Sequence, residues 1–394
     1  MTRIRFLTAG ESHGPELVVI LEGIPAELPL TGKDLDPLLI RRQQGYGSGG
    51  RMRIEKDRVQ LVSGVMAGKT IGSPITLRIT NRNHTQWQGK EIPPFTRPRP
   101  GHVDLTGALK YGYRDLRPAS ERASARETAA RTAAGAVCLH LLKHFGVQVG
   151  GWVAAIGNHQ MPPAAPTMET FSELVRRAEA SPVRCPDPET SRVMKAAIRK
   201  AKENQQTLGG VLEIAALGLP PGLGSYVHWD RRLDARLGAA VLGIQAIKGL
   251  EFGRGFENTR LPGTEVQDPI RAEGDNLIRP TNRAGGLEGG MTTGNPLILR
   301  AAMKPIATTL APQPTVDLGE RIETSTRYER SDFCPVPRAV PILEAVTGFV
   351  LADALLEKLG GDSLDEILPR FENLPRATFS NLPMDNHSHT WWPE

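Results

Sequence analysis

Short apolar runs alternate with polar and glycine-rich segments along the chain, and this pattern predicts a mixture of strands and helices. Ile4, Phe6 and Leu7 indicate a first strand and residues 17–21 a second, with a glycine-rich turn between them. Alternating or β-branched residues predict further strands, which lie at residues 53–63, 75–80, 150–156, 211–217 and 297–302.

The clearest helix spans residues 124–145, where Ser124 and Glu127 fit a capping box and the body is rich in alanine. Apolar residues at helical spacing predict other helices at 28–42, with Thr31 as the cap, and at 171–178, 192–202, 232–250 and 340–359. Because the elements intermix without a strict strand–helix rhythm, we predict an α+β fold. We expect one domain over residues 1–375, with a peripheral helical insertion at 160–205 and a mobile tail at 376–394.

Composition narrows the class of protein. The 394 residues include 41 glycines and 32 prolines, which favours a loop-rich enzyme, and the net charge of +5 is too small to indicate a nucleic-acid partner. Cys138, Cys185 and Cys334 are too widely spaced for a disulfide framework or a zinc site. Without a signal peptide or a run of ~18 apolar residues, we expect a cytoplasmic protein with no membrane partner.

Three loops combine histidine, serine or arginine with glycine and proline. They are residues 10–14 (GESHG), 41–51 (RRQQGYGSGGR) and 97–102 (RPRPGH). Guanidinium groups on rigid loops suit phosphate or carboxylate recognition, because each grips two oxygens at once. These loops therefore indicate a small anionic substrate and proton-transfer chemistry.

Three other motifs suggest a dinucleotide, nucleotide or metal site, but their context argues against each. Residues 45–50 match GxGxxG, but a helix precedes them and a strand-like segment follows, whereas a dinucleotide fold needs the reverse order. Residues 63–70 approach a phosphate-binding loop, but Ser63 replaces its first glycine and the spacing is one residue short. Asp385, His387 and His389 alternate in the tail, and we interpret them as solvated residues with no metal.

Five segments, in order along the chain, resemble signature segments of the chorismate synthase family. They are residues 10–25 (GESHGPELVVILEGIP), 97–104 (RPRPGHVD), 121–137 (ERASARETAARTAAGAV), 304–309 (KPIATT) and 330–332 (RSD) with the following helix. The resemblance implies a lyase that converts 5-enolpyruvylshikimate 3-phosphate to chorismate and phosphate, the last step of the shikimate pathway. It also implies a 1,4-anti elimination with reduced FMN and no net redox change. The implied fold is a β-α-β sandwich with two central antiparallel sheets flanked by helices, usually assembled as a homotetramer.

The same resemblance implies roles for individual residues. His13 faces the substrate phosphate as a proton donor, His102 balances charge on the reduced flavin, and Asp332 relays the C6 proton with Ser12 and Ser124 nearby. The implied substrate contacts are Arg42, Arg51, Arg99, Arg126 and the position of Ser48. The implied flavin contacts are Arg122, Ala123, Ser124, Gln245, Ala246, Gly289, Lys304, Pro305, Ile306, Ala307, Thr308 and Arg330.

The chain departs from the family in one place, because many members have an arginine where this chain has Ser48. That position is associated with the nicotinamide or substrate-phosphate side, and Arg51 and Arg53 are the candidates to compensate. The chain also has no recognisable flavin-reducing domain. It therefore resembles the monofunctional bacterial type, whose FMN is reduced by an external reductant, with NADPH as the alternative partner.

Two other function classes stay open from the residues alone. A nucleotide-hydrolysing protein would use residues 64–70, but it would need an intact phosphate loop and a metal-binding carboxylate. A protein that only binds anions would have the arginine loops, yet it would not need His13, His102 and Asp332 on three separate loops. Thermal-shift screening against FMN, ATP and a shikimate phosphate separates the three classes.

Overall fold

The computed structural model describes residues 3–49, 55–329 and 331–392. The strands are β1 (Arg5–Ala9), β2 (Glu16–Glu22), β3 (Gln60–Ser63), β4 (Val65–Met66), β5 (Lys69–Thr70), β6 (Ile75–Thr80), β7 (Gln148–Ile156), β8 (His159–Gln160), β9 (Gly210–Leu217), β10 (Ile247–Phe252), β11 (Arg271–Glu273), β12 (Asn276–Ile278), β13 (Leu287–Glu288), β14 (Met291–Thr292), β15 (Leu297–Met303), β16 (Pro314–Asp317) and β17 (Ile322–Ser325). The α-helices are α1 (Gly32–Gln43), α2 (Asp104–Tyr111), α3 (Arg117–Ala123), α4 (Thr128–Lys143), α5 (Phe171–Ala180), α6 (Pro188–Glu203), α7 (Leu233–Leu242), α8 (Gly255–Asn258), α9 (Gly263–Val266), α10 (Val336–Leu359) and α11 (Leu364–Glu372).

Two antiparallel sheets organise the described residues. The first sheet has the strand order β1-β2-β6-β3, and the second has the order β10-β15-β9-β7-β8. In the first sheet, inward-facing Leu17, Val19 and Leu21 of β2 alternate with more exposed residues, as expected for a sheet with one covered face. The mixed α+β class predicted from the sequence is confirmed.

The two longest buried helices lie between the sheets. Helix α4 packs on β2 and β6, α10 packs on β7 and β9, and the two helices pack against each other. They approach closely because Gly135 has no side chain: a Cβ there would lie 2.2 Å from the carbonyl oxygen of Ala345. The layers thus run sheet, helices, sheet, which is the β-α-β order, and the placement of both sheets at the centre with helices outside stays a prediction. A helix that is apolar all round, such as α10, has to be covered on all sides.

Helix α10 is also long and apolar enough to span a bilayer, contrary to the expectation from the sequence. In this fold 94 % of its most apolar window is buried inside the protein. It is therefore placed here as a core helix.

Several local predictions were wrong in part. Of the strand predicted over 53–63, the described residues form only β3 at Gln60–Ser63. The helix predicted over 232–250 ends at Leu242, and β10 begins at Ile247. Gly243 ends the helix, Ala246 has a positive φ of 68°, and β10 then pairs with β15. The helix predicted from Ser124 begins instead with a short 3-10 turn, whose cap is the Ser124 hydroxyl accepting from the backbone of Arg126.

The second sheet carries a buried acid without a full set of partners. Glu213 of β9 lies across from Arg300 of β15, whose Nε is 3.5 Å away, and Glu213 Oε1 has no hydrogen-bond partner among the described residues. Burial raises the pKa of Glu213 to about 7, although Arg300 opposes this shift.

Helices α5 and α6 occupy the predicted insertion, and both pack against β7. Phe171, Met194 and Ile198 from these helices are buried in the core. The division into one domain and a mobile tail stays a prediction.

Candidate active site

The largest concentration of predicted site residues surrounds a cavity of ≈ 450 Å³. The turn after β1, a 3-10 helix at Arg82–Gln86, the loop before α2, helix α3 and the loops after α7 and β15 supply its walls. The side chains and backbone of its wall come from Ser12, His13, Asn83, Trp87, Phe95, Arg99, Gly101, His102, Val103, Arg117, Ser120, Glu121, Ala123, Ser124, Ala125, Gln245, Ala246, Lys304, Ile306, Ala307, Thr308, Glu329 and Ser331. Both predicted histidines therefore face one cavity.

His13 lies in the tight turn that joins β1 to β2. The turn requires a glycine at position 10, where φ is 106° and a Cβ would lie 2.3 Å from the carbonyl oxygen of Glu16. Glu121 of α3 then binds His13 twice: Oε2 accepts its backbone N–H at 2.7 Å, and Oε1 lies 2.6 Å from Nδ1. The indole of Trp87 stacks on the imidazole with a centroid distance of 4.1 Å.

The carboxyl of Glu121 is held in its ionised form. Burial raises its pKa, but the hydrogen bonds and charge of His13, together with the charge of Arg117, outweigh burial and lower the pKa below its usual value. An ionised carboxylate can only accept hydrogen bonds, so His13 donates from Nδ1.

His102 is held in a similar way by Asp104, the first residue of α2. Asp104 Oδ1 lies 2.7 Å from Nδ1 of His102, and the same carboxylate accepts from the Arg99 Nε at 2.7 Å. Burial opposes ionisation of Asp104, but hydrogen bonds from Arg99 and His102 lower its pKa well below the usual range. The Arg99 Nη2 also lies 3.2 Å from Nδ1 of His102, so a fixed positive charge sits beside this imidazole.

The two predicted serines are in contact. The Ser124 hydroxyl donates to the Ser12 hydroxyl at 3.1 Å, and both residues line the cavity. Asp332 stands apart from this pair. Its carboxylate accepts from the backbone N–H of Gly49 at 2.7 Å and pairs with Arg338, and the neighbouring Ser331 rather than Asp332 lines the cavity.

Two of the predicted substrate arginines lie behind the cavity wall. Arg126 donates to both oxygens of Asp57 at 2.7 and 2.8 Å, and Arg42 donates to Thr128 and to the carbonyl oxygen of Ala125. Both arginines are buried, and burial lowers the pKa of Arg42 to about 9. These contacts orient the segment between α3 and α4, and direct substrate contact by Arg42 or Arg126 stays a prediction.

The remaining substrate candidates divide between the wall and the loop behind it. Arg99 is on the wall. The Ser48 hydroxyl instead donates to the carbonyl oxygen of Gly45 at 2.7 Å, a hydrogen bond within the glycine loop. Arg51 and the alternative Arg53 lie outside the described residues.

Most predicted flavin contacts also line the cavity; these are Ala123, Ser124, Gln245, Ala246, Lys304, Ile306, Ala307 and Thr308. Arg122 is directed elsewhere, since it donates to the carbonyl oxygens of Thr8 and Gly10. Pro305 lies between two lining residues, Gly289 lies in the turn between β13 and β14 away from this wall, and Arg330 is outside the described residues.

Sequence reasoning missed several residues of the wall, notably Glu121, Asn83, Trp87 and Arg117. It also missed Asp104, which is buried behind the wall against His102 and Arg99. Glu121 and Asp104 stand inside segments that carry the family resemblance, but nothing in the sequence pairs Glu121 with a histidine 108 positions away. Asn83 and Gln245 each have a buried side-chain oxygen with no hydrogen-bond partner in the part of the chain that the structure describes. Such acceptors are uncommon in proteins and suit the N–H or O–H groups of a ligand.

The described residues contain no cluster of three or more histidine, cysteine or acidic side chains placed to hold a metal ion. The chemistry of the cavity instead comes from two imidazole–carboxylate pairs and the cations Arg99, Arg117 and Lys304.

An α+β fold with two imidazole–carboxylate pairs at one cavity is the arrangement expected of an enzyme that acts on a small molecule. The family model for chorismate synthase matches residues 4–356. The chain therefore belongs to the chorismate synthase family, whose members are lyases acting on phosphates and catalyse the final step of the shikimate pathway.

Individual relatives agree over nearly the whole chain. The chorismate synthase of Symbiobacterium thermophilum is 52 % identical over 383 residues, which covers 93 % of this chain and 97 % of the relative. That of Syntrophotalea carbinolica is 52 % identical over 377 residues, covering 93 % and 96 %. A crystal structure of chorismate synthase matches with a TM-score of 0.78 at 43 % identity, covering 95 % of this chain and 98 % of that chain.

Proposed function

We propose that this chain performs the 1,4-anti elimination of phosphate from 5-enolpyruvylshikimate 3-phosphate, with reduced FMN bound and no net redox change. The observation that supports this most is the pair of histidines on one cavity, each with a carboxylate at Nδ1. The substrate carries a phosphate and two carboxylates. Arg99, Arg117 and Lys304 supply positive charge on the same wall.

The cavity fits a flavin by size and chemistry. Its volume of ≈ 450 Å³ is within the ordinary range for ligand sites, and its wall mixes apolar surface with polar groups. Gln245 offers a buried acceptor without a protein partner, and Lys304 and the loop at 306–308 offer a cation and backbone groups. When bound, reduced FMN supplies electron density to the substrate and recovers it.

His13 is the proposed proton donor to the departing phosphate. The Glu121 carboxylate occupies Nδ1, which leaves Nε2 to face the ligand, and Trp87 covers one ring face. His102, together with Arg99, offers positive charge toward the reduced cofactor.

The proton relay is proposed through Ser12 and Ser124, which already touch. We also assign Asp332 to the relay. Its carboxylate is held by the backbone N–H of Gly49 and by Arg338.

Assembly and supply of reductant complete the proposal. We expect a homotetramer in the cytoplasm whose FMN is reduced by an external reductant. Anaerobic incubation with NADPH alone tests the last point, since rapid bleaching of the flavin would instead show that the chain uses NADPH itself.

The decisive experiment is anaerobic incubation with chemically reduced FMN and 5-enolpyruvylshikimate 3-phosphate. We expect chorismate absorbance to rise together with released phosphate in a ratio of one to one, many times per enzyme. Oxidised FMN is the matched control and should support no turnover. Binding of both ligands without chorismate formation would leave a binding protein and refute the proposal.

A further inference from the structure

Glu121 contacts His13 more extensively than support of a loop requires. Its two carboxylate oxygens are each used by a different N–H group of the same residue, one on the backbone and one on the ring. The side chain is only 15 % exposed, and it lies on the face of α3 that lines the cavity. One carboxylate therefore fixes both the main chain and the ring of His13.

Trp87 also restrains the ring, and His84 restrains the main chain of His13. Trp87 lies against its face at 4.1 Å with an interplanar angle of 31°, and the Arg117 guanidinium lies 5.5 Å from the centre of the Trp87 ring on the cavity wall. His84 Nδ1 lies 2.9 Å from the carbonyl oxygen of His13. Rotation of the imidazole would break the bond to Glu121 and the stack on Trp87 together.

The contact with Glu121 has a chemical consequence for the ring. A carboxylate at Nδ1 accepts a hydrogen bond from the N–H there. A charged imidazole therefore gives its other proton, the one on Nε2, to a ligand. The neutral ring that remains is the Nδ1–H tautomer, and the same carboxylate stabilises it.

We propose that Glu121 is a positioning residue for His13, which sets the ring orientation and commits the neutral ring to the Nδ1–H tautomer. This inference rests on the proposed function of His13 as the proton donor. In that step the Nε2–H bond breaks and the proton joins the phosphate oxygen, while the electron pair of the substrate C–O bond leaves with the phosphate. The electron pairs of the C6–H bond and of the ring double bond rearrange to the diene, and the C6 hydrogen passes as a proton to the relay proposed at Ser12 and Ser124.

The Glu121→Gln variant tests this directly. The two N–H groups of His13 are bound by two different oxygens of Glu121, and an amide has only one oxygen. If that oxygen keeps the backbone N–H, the amide NH₂ takes the other position and donates to Nδ1. The neutral ring then becomes the Nε2–H tautomer. We expect kcat to fall by about 10²-fold, in the range typical of general acid catalysis, with KM changed less than about threefold.

Nitrogen NMR of protein with ¹⁵N-labelled histidine reads the tautomer without substrate or flavin, and the His13→Ala variant assigns the His13 signals. The parent should show neutral His13 protonated at Nδ1, and Glu121→Gln should show it at Nε2. Glu173→Gln is the matched control, because Glu173 pairs with Arg176 on the exposed face of α5. It should change neither the tautomer nor kcat.

The outcomes separate this inference from the function on which it rests. If the parent converts substrate but Glu121→Gln keeps both the Nδ1–H tautomer and the parent kcat, Glu121 has no positioning role. An Nε2–H tautomer in the parent would overturn the inference even if the variant fails to fold. If the tautomer switches as expected while the parent forms no chorismate, Glu121 positions His13 and the proposed reaction is wrong.

Discussion

The two histidines of the cavity have the same ring nitrogen bound to a carboxylate, but they differ in what else the carboxylate holds. Glu121 gives both oxygens to His13, whereas Asp104 divides its charge between His102 and Arg99. A guanidinium therefore stands beside His102, while an aromatic ring covers His13. The difference agrees with the roles proposed for them, His13 as proton donor and the His102–Arg99 pair as a source of positive charge.

Removal of His13 should produce the largest effect on turnover. We expect His13→Ala to lower kcat by about 10²- to 10⁴-fold, because the leaving phosphate loses its proton donor, with little change in FMN affinity. Stopped-flow measurement of chorismate formation with reduced FMN checks this. Turnover equal to that of the parent would remove the distinction between the two imidazoles.

Removal of the shared carboxylate should act mainly on stability. Asp104→Asn leaves the nearly buried Arg99 guanidinium beside His102 without its anion, and we expect a loss of about 3 kcal/mol in the free energy of unfolding. Urea unfolding of the parent and the variant measures the loss. Asp234→Asn is the control, since it removes an arginine partner from a more exposed pair.

The acids that have strong hydrogen-bond partners and the buried one that lacks them should make stability depend on pH in opposite directions. The pKa values of Glu121 and Asp104 are lowered in the folded chain, so their contribution to stability is lost as pH falls below the ordinary values of 4.5 and 3.8. The pKa of Glu213 is raised to about 7, so its contribution is present below pH 4.5 and is lost as pH rises to about 7.

We therefore expect Glu213→Gln to remove a loss of about 2 to 3 kcal/mol that the parent shows between pH 4.5 and 7. Urea unfolding at several pH values measures it. An unchanged pH dependence in this variant would show that Glu213 is charged in the folded protein throughout the range.

Loss of His102 should have a smaller effect than loss of His13, because Arg99 keeps a positive charge in place. We expect His102→Ala to weaken binding of reduced FMN by about tenfold, close to 1.4 kcal/mol, with less effect on oxidised FMN. Anaerobic titration of both forms measures the difference. Equal weakening of the two forms would mean that His102 contributes shape rather than charge.

The smallest effect concerns the glycine loop at residues 45–49. Ser48→Arg adds a cation where many relatives have one, at the cost of the hydrogen bond from Ser48 to Gly45. We expect substrate affinity to rise about threefold, as one extra exposed charge contributes little. An unchanged affinity in equilibrium binding would show that the position is idle in this chain.

The sequence predicted the parts of the site that are continuous in the chain. The GESHG turn and the RPRPGH loop identified His13 and His102 as candidate site residues, because each histidine sits in a glycine turn, and the family resemblance placed them in one site. The family resemblance placed Lys304 and the following loop there as well.

What the sequence could not supply was pairing between distant positions. Arg42 and Arg126 are of the residue type that binds anions, but both already contact the buried Asp57, and no local signal indicates that contact. Glu121 was visible only as part of a helix start. The end of α7 was placed too late because the breaks at Gly243 and Ala246 are weaker in pattern than the apolar residues around them.

Gly135, deep between α4 and α10, has a consequence for engineering of this protein. One end of α4 leads back to Ser124 and one end of α10 leads back to Ser331, so the two helices that meet at Gly135 each lead to a residue of the cavity wall. A larger residue at position 135 is therefore a way to alter the cavity from the hydrophobic core. It would push the two helices apart without replacing any side chain that contacts the ligand.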